Sequence, residues 1–276
     1  MQDISDFNSF GFLGEDIRNF ENDMLNRYND ILKLHKDFNQ HLHDFKFKMS
    51  VNNEDVKKIV VTTLFIKALE TYQAIYILSI KGLANDAEAL CRNLYEVMVK
   101  IKYCCENDDC FKRYLCTYYH QLLHSINAAT DRPHEFGKEF ADKNRLKEIK
   151  DKRCAELNEM GNYHSIQIEE MARQLSNTEN DNYYIKNYQV FFRSTSDVVH
   201  SSPASLEKYV GKDENNKVHS FLWGPRGNIA IIFSSVEFML DIFKTLFLFF
   251  NIDSAKEFNL FNAQNGTLFK KYFPNL

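Results

Sequence analysis

The stretch FFRSTSDVVHSSP, residues 191–203, carries an arginine and a histidine at a spacing that could serve phosphate chemistry. On a helix that turns about 100° per residue, Arg193, Ser196, Asp197 and His200 share one polar arc, with Arg193 and His200 about 10 Å apart along the axis. Histidine moves protons near neutral pH, and arginine donates paired hydrogen bonds to phosphate. We therefore assign these four residues as catalytic candidates. The alternative is the solvated face of an amphipathic helix.

A second polar group lies in ALCRNLYEVMVKIKY, residues 89–103. Arg92 and Glu96 are four residues apart, and Glu88 lies one turn before Arg92. We predict that Glu96 fixes the Arg92 guanidinium toward a cleft between helices, where the two residues contribute to substrate binding. The alternative is an ordinary surface pair, which stabilises a helix by a few tenths of a kcal/mol.

The chain also contains patterns that could indicate a metal or a nucleotide phosphate. Cys116, His120 and His124 follow each other at intervals of four on one helix face, which is a zinc-like spacing. A fourth ligand is not evident nearby, and packing between helices explains the three residues more simply. The sequence WGPRGN, residues 223–228, does not have the spacing of a phosphate loop. We predict neither a metal nor a cofactor.

A highly charged segment, predicted as a helix from about Glu135 to Met160, offers a surface that could guide nucleic acid. Its basic residues are interleaved with acidic ones, which favours a solvated face over a dedicated nucleic-acid patch. The net charge of −4 argues against non-specific nucleic-acid binding over the whole surface. The basic residues are Lys143, Arg145, Lys147, Lys150, Lys152 and Arg153.

Long helices must position these groups. Only 9 glycines and 4 prolines occur in 276 residues, and apolar residues recur every three or four positions, so we predict an all-α fold with at most one small β-hairpin between about Tyr209 and Trp223. One long amphipathic helix is predicted from about Glu15 to Phe47. We divide the chain into an N-terminal helical extension, residues 1–50, and a helical core domain, residues 51–276.

The N-terminus and the most apolar segment indicate the cellular compartment of the protein. The N-terminus has no basic region followed by an apolar run, so we see no signal peptide. Residues 229–250 are long enough to span a membrane, but Glu237, Asp241 and Lys244 interrupt them, which favours a buried helix. The six cysteines contain no CxxC pair and are expected to be reduced. We predict a cytoplasmic protein with no membrane partner.

Two motifs in this order resemble an uncharacterised bacterial DUF family. GLANDAEALCRNLYEVMVK, residues 82–100, is similar to its Gly-Leu-x-x-(Asp/Glu)-Ala lead-in followed by an Arg-(Ser/Asn)-Leu-x-Glu helix. The later Ser-x-x-x-His of that family is matched by Ser196 and His200, with Pro203 following. The resemblance covers roughly residues 55–250.

More distantly, Arg193 and His200 with six residues between them resemble the Arg-x(4–6)-His signature of the HEPN superfamily. That resemblance implies a HEPN-like helical bundle, a homodimer, and a metal-independent endoribonuclease acting as a toxin or phage-defence effector. RNA, with tRNA as one candidate, would be the substrate, and a partner or regulator protein is a further expectation. The alternatives are a non-catalytic helical module that binds a nucleotide, RNA or protein, and a structural interaction protein that uses its N-terminal helix.

Overall fold

The computed structural model describes residues 5–131, 143–161, 163–193, 195 and 203–275, and these are mostly helical. The strands β1 (Val210–Lys212) and β2 (Val218–Phe221) form an antiparallel hairpin. This confirms the predicted all-α class with a small hairpin. The helices are α1 (Ser5–Phe10), α2 (Ile17–Arg27), α3 (Asn29–Lys46), α4 (Val56–Ile80), α5 (Ala84–Glu106), α6 (Asp108–Asp131), α7 (Lys143–Glu159), α8 (Ile168–Glu179), α9 (Tyr183–Asn187), α10 (Pro203–Leu206), α11 (Ile229–Phe249) and α12 (Ala255–Tyr272).

Helices α4, α5 and α11 form the centre of the molecule. Helix α4 begins where the Asp55 carboxylate accepts a hydrogen bond from the Lys58 backbone N–H at 2.9 Å, a side-chain cap of the first turn. A short turn containing Gly82 joins α4 to α5, and the two helices pack along each other. Apolar residues cover most of the surface of α11, which is buried against α4 and α5. The central location of α11 agrees with its predicted role as a buried helix.

The N-terminal segment differs from the single helix expected between Glu15 and Phe47. The helix is interrupted at Tyr28, whose backbone is not helical, so that α2 and α3 are separate elements. The apolar side of α3 lies in the same core as α4 and α11: Phe38 and Phe45 are fully buried, and each ring contacts Phe243. The apolar side of α3 is therefore covered within the chain. The domain division at residue 50 and the homodimer stay predictions.

The hairpin lies where the sequence predicts it, between Tyr209 and Trp223. Val210 is paired with Phe221 across the strands. The Asp213 carboxylate accepts backbone hydrogen bonds from Asn215 and Lys217, and Asn216 takes the left-handed conformation at φ 62°. Both strands are short and largely exposed.

Within the part of the chain that the structure describes, no helix combines the length and apolar character needed to cross a membrane. The most apolar helix among them, α11, has most of its apolar residues buried in the protein core, although Leu248 near its end is exposed.

Candidate functional site

The structure describes three of the six predicted site residues. Arg92 and Glu96 lie on α5, and Arg193 follows the segment that begins with α9. Ser196, Asp197 and His200 lie outside the described residues, so their predicted roles stay predictions.

Arg92 projects from the central helix against an aromatic ring rather than a carboxylate. Its neighbours Cys91 and Tyr95 are fully buried, whereas Arg92 is half-buried at the edge of that face. The guanidinium carbon lies 4.0 Å from the centre of the Phe192 ring, a close cation–π contact. The Nε atom is buried, and among the described residues it has no hydrogen-bond partner.

The predicted pair of Arg92 and Glu96 is wrong. Glu96 instead accepts a hydrogen bond from Lys100 at 2.5 Å. An acidic residue placed four positions before a basic one is the favoured orientation on a helix, and the reverse order of Arg92 and Glu96 is weaker. Glu88, one turn before Arg92, pairs with Lys208 at 3.2 Å.

The residues that precede Arg193 form one turn of π-helix, Tyr188–Phe192, directly after α9. The Arg193 backbone N–H donates to the Tyr188 carbonyl, five residues back. Such turns are rare and occur often at functional sites. The extra residue in this turn changes the direction in which the following side chains point, at the place where the predicted polar arc begins. Arg193 is nevertheless exposed and Thr195 is buried, as on an amphipathic helix.

Arg92 and Arg193 are connected through two stacked rings. Phe192 lies under the Arg92 guanidinium and stacks on Tyr188, with ring centres 5.0 Å apart and planes inclined by 21°. The Arg193 guanidinium carbon lies 5.7 Å from the centre of the Tyr188 ring. We call these four residues the arginine–ring stack. Two of the predicted site residues, from different helices, are thus brought into one contiguous group.

The two guanidinium groups of this stack differ in their surroundings. The Arg193 side chain is 63% exposed, and its ion pair with Glu169 is long, at 3.9 Å. The same Glu169 pairs more closely with Arg173, at 3.0 Å. A distant exposed pair contributes little to stability, so Arg193 is available to an anionic ligand at small cost.

Behind the stack lies a group of tyrosines and carboxyls that sequence reasoning missed. The Tyr184 hydroxyl donates to Asp241 at 3.0 Å, and the Tyr95 hydroxyl donates to the Tyr184 carbonyl at 2.6 Å. Burial raises the pKa of Asp241, against the opposing effects of Lys102 and the Tyr184 hydrogen bond. Burial of the Glu237 carboxyl likewise raises its pKa, although the residue as a whole is exposed. In the sequence, this group is indicated by two acidic residues, Glu237 and Asp241, within an apolar helix.

The other sequence patterns serve packing and surface roles in the described residues. The His120 Nε2 atom lies 2.9 Å from the Tyr163 carbonyl oxygen, Cys116 is buried, and His124 is exposed. No group of three or more potential metal ligands occurs within the described ranges. On α7, Arg153 pairs with Glu156 at 2.7 Å.

Comparison with known proteins identifies a family model whose matched residues include most of the candidate site. It is described as a family of unknown function, DUF5677, and matches residues 58–218, which include α4 from its third residue, α5 and the arginine–ring stack. No curated protein matches the chain. No solved structure matches it either. The expected resemblance to an uncharacterised family is confirmed over a shorter range than 55–250, and the match gives no support to a HEPN relationship.

Proposed function

The chain belongs to DUF5677, a family of unknown function, and we propose that it is a metal-independent endoribonuclease of HEPN-like type. We further propose that it acts as a toxin or phage-defence effector on RNA, with tRNA as one candidate substrate. In this proposal Arg92 and Arg193 bind the scissile phosphate, and His200 transfers the proton.

The observation that carries the proposal is the arginine–ring stack. A guanidinium that lies on an aromatic face keeps the N–H groups at its edge free to donate hydrogen bonds. Arg92 is held in this way by Phe192, and Arg193 contacts Tyr188. Paired guanidinium donors fit the oxygens of a phosphate and stabilise the charge that grows on it during cleavage. An RNA phosphate bound beside this stack would meet both.

The described residues on either side of residues 196–202 both contact α5. Before this segment, Phe192 packs under Arg92; after it, Lys208 pairs with Glu88. The partners of these two residues, Arg92 and Glu88, lie one turn apart on α5. This supports a site in which the His200 imidazole and the Arg92 guanidinium act on one phosphate.

The proposed reaction needs only groups of the protein and of RNA. His200 accepts the proton of the 2′-hydroxyl, whose oxygen forms a bond to phosphorus while the bond from phosphorus to the 5′-oxygen breaks. The leaving 5′-oxygen takes the proton back from the His200 imidazolium, so the products are a 2′,3′-cyclic phosphate and a 5′-hydroxyl. Ser196 and Asp197 are proposed to orient the imidazole or the substrate.

A non-catalytic module that binds RNA, a nucleotide or a partner protein is the second candidate function. The same exposed Arg193, next to an aromatic ring, would bind a phosphate without any proton transfer. Binding without cleavage in the experiment below would favour this candidate.

The test uses purified wild-type protein and the variants His200→Ala, Arg193→Ala and Arg92→Ala, incubated with total RNA and tRNA in excess EDTA. We expect His200→Ala to abolish cleavage, and each arginine variant to lower its rate on the order of 100-fold or more. Arg173→Ala is the matched control, since Arg173 pairs with the same Glu169 as Arg193. Its cleavage rate should equal that of the wild type.

Melting temperatures separate catalytic from structural effects. Arg193→Ala should leave the melting temperature unchanged, whereas Arg92→Ala should lower it because the contact with Phe192 is lost. Cleavage that is equal in wild type and His200→Ala, or that EDTA abolishes, would refute the metal-independent mechanism.

A further inference from the structure

A small recess lined by three aromatic rings lies at the start of α5, about two turns from Arg92. Its volume is about 110 Å³, which is well below that of pockets for drug-sized ligands, roughly 300–1,000 Å³. We call it the aromatic recess. Its larger polar and aromatic side chains are Phe12, Asn85, Asp86, Tyr209, Trp223 and Arg226, and Leu83 and Ala84 also line it.

Arg226 fixes the hairpin against α5 and so builds the recess. Its backbone N–H donates to the Gly82 carbonyl at 2.8 Å. Its guanidinium donates to the Lys208 carbonyl at 2.5 Å and to the Leu222 carbonyl at 2.6 Å, which flank the open end of the hairpin. The sequence WGPRGN is therefore a clamp between the hairpin and α5. The recess is a preformed feature of the fold.

Two of the three rings of the recess, Tyr209 and Trp223, are exposed. Trp223 is 61% exposed, while its ring packs against Phe7 at 5.1 Å. Tyr209 lies under the Arg226 guanidinium at 5.1 Å and is held by the Asn85 amide, which donates to its hydroxyl at 2.5 Å. A supported ring with an exposed face is suited to stacking against another planar group.

We propose that the aromatic recess binds a nucleobase of single-stranded RNA. Proteins recognise unpaired bases by stacking them on aromatic rings and by hydrogen bonds to their edges. Trp223 and Tyr209 provide the rings, and the Asn85 amide and Asp86 carboxylate provide hydrogen-bonding groups in the same recess. The polar lining favours a base over an apolar side chain of a partner protein, because a buried amide or carboxylate without a hydrogen bond is costly.

The location of the recess agrees with an RNA strand that continues toward the arginine–ring stack, and this part of the inference rests on the proposed function. Asn85 and Arg92 are seven residues apart on α5, or about 10 Å along its axis. A nucleotide whose base occupies the recess would therefore lie close to the phosphate bound by Arg92. The recess would select unpaired RNA and position the strand for cleavage.

Trp223 is the only tryptophan of the chain, so its fluorescence reports on this site alone. The wild-type protein is titrated with a single-stranded 2′-O-methyl oligoribonucleotide, which the proposed reaction cannot cleave. Parallel titrations use 5′-mononucleotides, a duplex of the same oligonucleotide, and ribose 5-phosphate, which has no base. We expect saturable quenching by the single strand and none by ribose 5-phosphate or the duplex.

Two variants and a control locate the binding site. Tyr209→Ala and Asn85→Ala should each weaken binding, by about ten-fold for the loss of a stacking ring. Tyr118→Ala removes a tyrosine on α6 that is 53% exposed and should leave binding unchanged. Equal quenching by mononucleotides and the single strand would assign the recess to free nucleotides. Binding with the same affinity in Tyr209→Ala and wild type would overturn the proposal.

The outcomes for the recess and for the nuclease are separate. Quenching by the uncleavable single strand without any RNA cleavage would retain the recess and reject the nuclease. Cleavage that depends on His200 but is accompanied by no quenching would reject the recess alone. A fluorescence change that follows protein concentration rather than added nucleic acid would assign this surface to self-association and also overturn the proposal.

Discussion

His35 is a buried histidine whose titration should dominate the acid sensitivity of the fold. It lies on α3, is 2% exposed, and stacks on the Tyr72 ring with centres 3.6 Å apart. Tyr76 is its other aromatic neighbour, at 5.2 Å, and the His35 Nε2 atom has no hydrogen-bond partner among the described residues. Burial lowers the pKa of His35 from its ordinary 6.5 to about 3. The native protein therefore holds this ring neutral.

The magnitude follows from linkage between protonation and unfolding. Because the folded pKa is below the unfolded one, the unfolded chain binds the proton first, and the contribution of His35 to stability is lost as the pH falls from 6.5 toward 3. With about 1.4 kcal/mol per pH unit, the loss at pH 5 is about 2 kcal/mol. This is a large share of the roughly 5–15 kcal/mol that stabilises a typical domain.

The assay is urea unfolding, followed by circular dichroism, between pH 7 and pH 5. His35→Phe keeps a planar ring beside Tyr72 but cannot titrate, so its stability should fall by about 2 kcal/mol less than that of the wild type over this range. His124→Phe, at an exposed position on α6, is the control and should follow the wild type. An equal pH dependence in His35→Phe and wild type would show that His35 is not held neutral by burial.

Two further predictions concern single side chains. Gly82→Ala should destabilise the protein by about 3 kcal/mol or more, because Gly82 has φ 78° and an added Cβ would lie 2.7 Å from the Pro225 Cα; a melting curve that matches wild type would contradict this. Asp241→Asn should stabilise the protein by about 1 kcal/mol at pH 8, since the amide still accepts the Tyr184 hydrogen bond and avoids a buried charge. Because the pKa of Asp241 is raised, the gain should shrink as the pH falls and the wild-type carboxyl takes up its proton; a gain that grows toward low pH would refute this assignment.

Periodicity predicted the long helices well where one side is apolar and the ends are marked. Helix α5 runs from Ala84 to Glu106, because Gly82 stops α4 and the apolar positions recur without interruption. The break at Tyr28 was not predicted, since the apolar spacing continues through it. Only the packing of α3 into the core distinguishes two helices from one.

The candidate site was predictable in residue type but not in partners. Arg92 lies at the edge of a buried face, yet its partner is Phe192, 100 residues away in sequence, rather than Glu96. Side-chain spacing on one helix cannot identify a ring supplied by another. A helical wheel assumes a constant angle per residue, so it cannot predict the π-helical turn either.

The contact between α3 and α12 has a consequence for synthesis of the chain. Asp30 accepts hydrogen bonds from Lys271 and Tyr272, and Phe38 contacts Phe261 at 4.8 Å. Asp30 and Tyr272 are 242 positions apart, and a ribosome adding about 5–20 residues per second needs roughly 10–50 s to cover that distance. Throughout that interval the rings of α3 have no complete core, so the nascent chain must be shielded from aggregation until its last helices emerge.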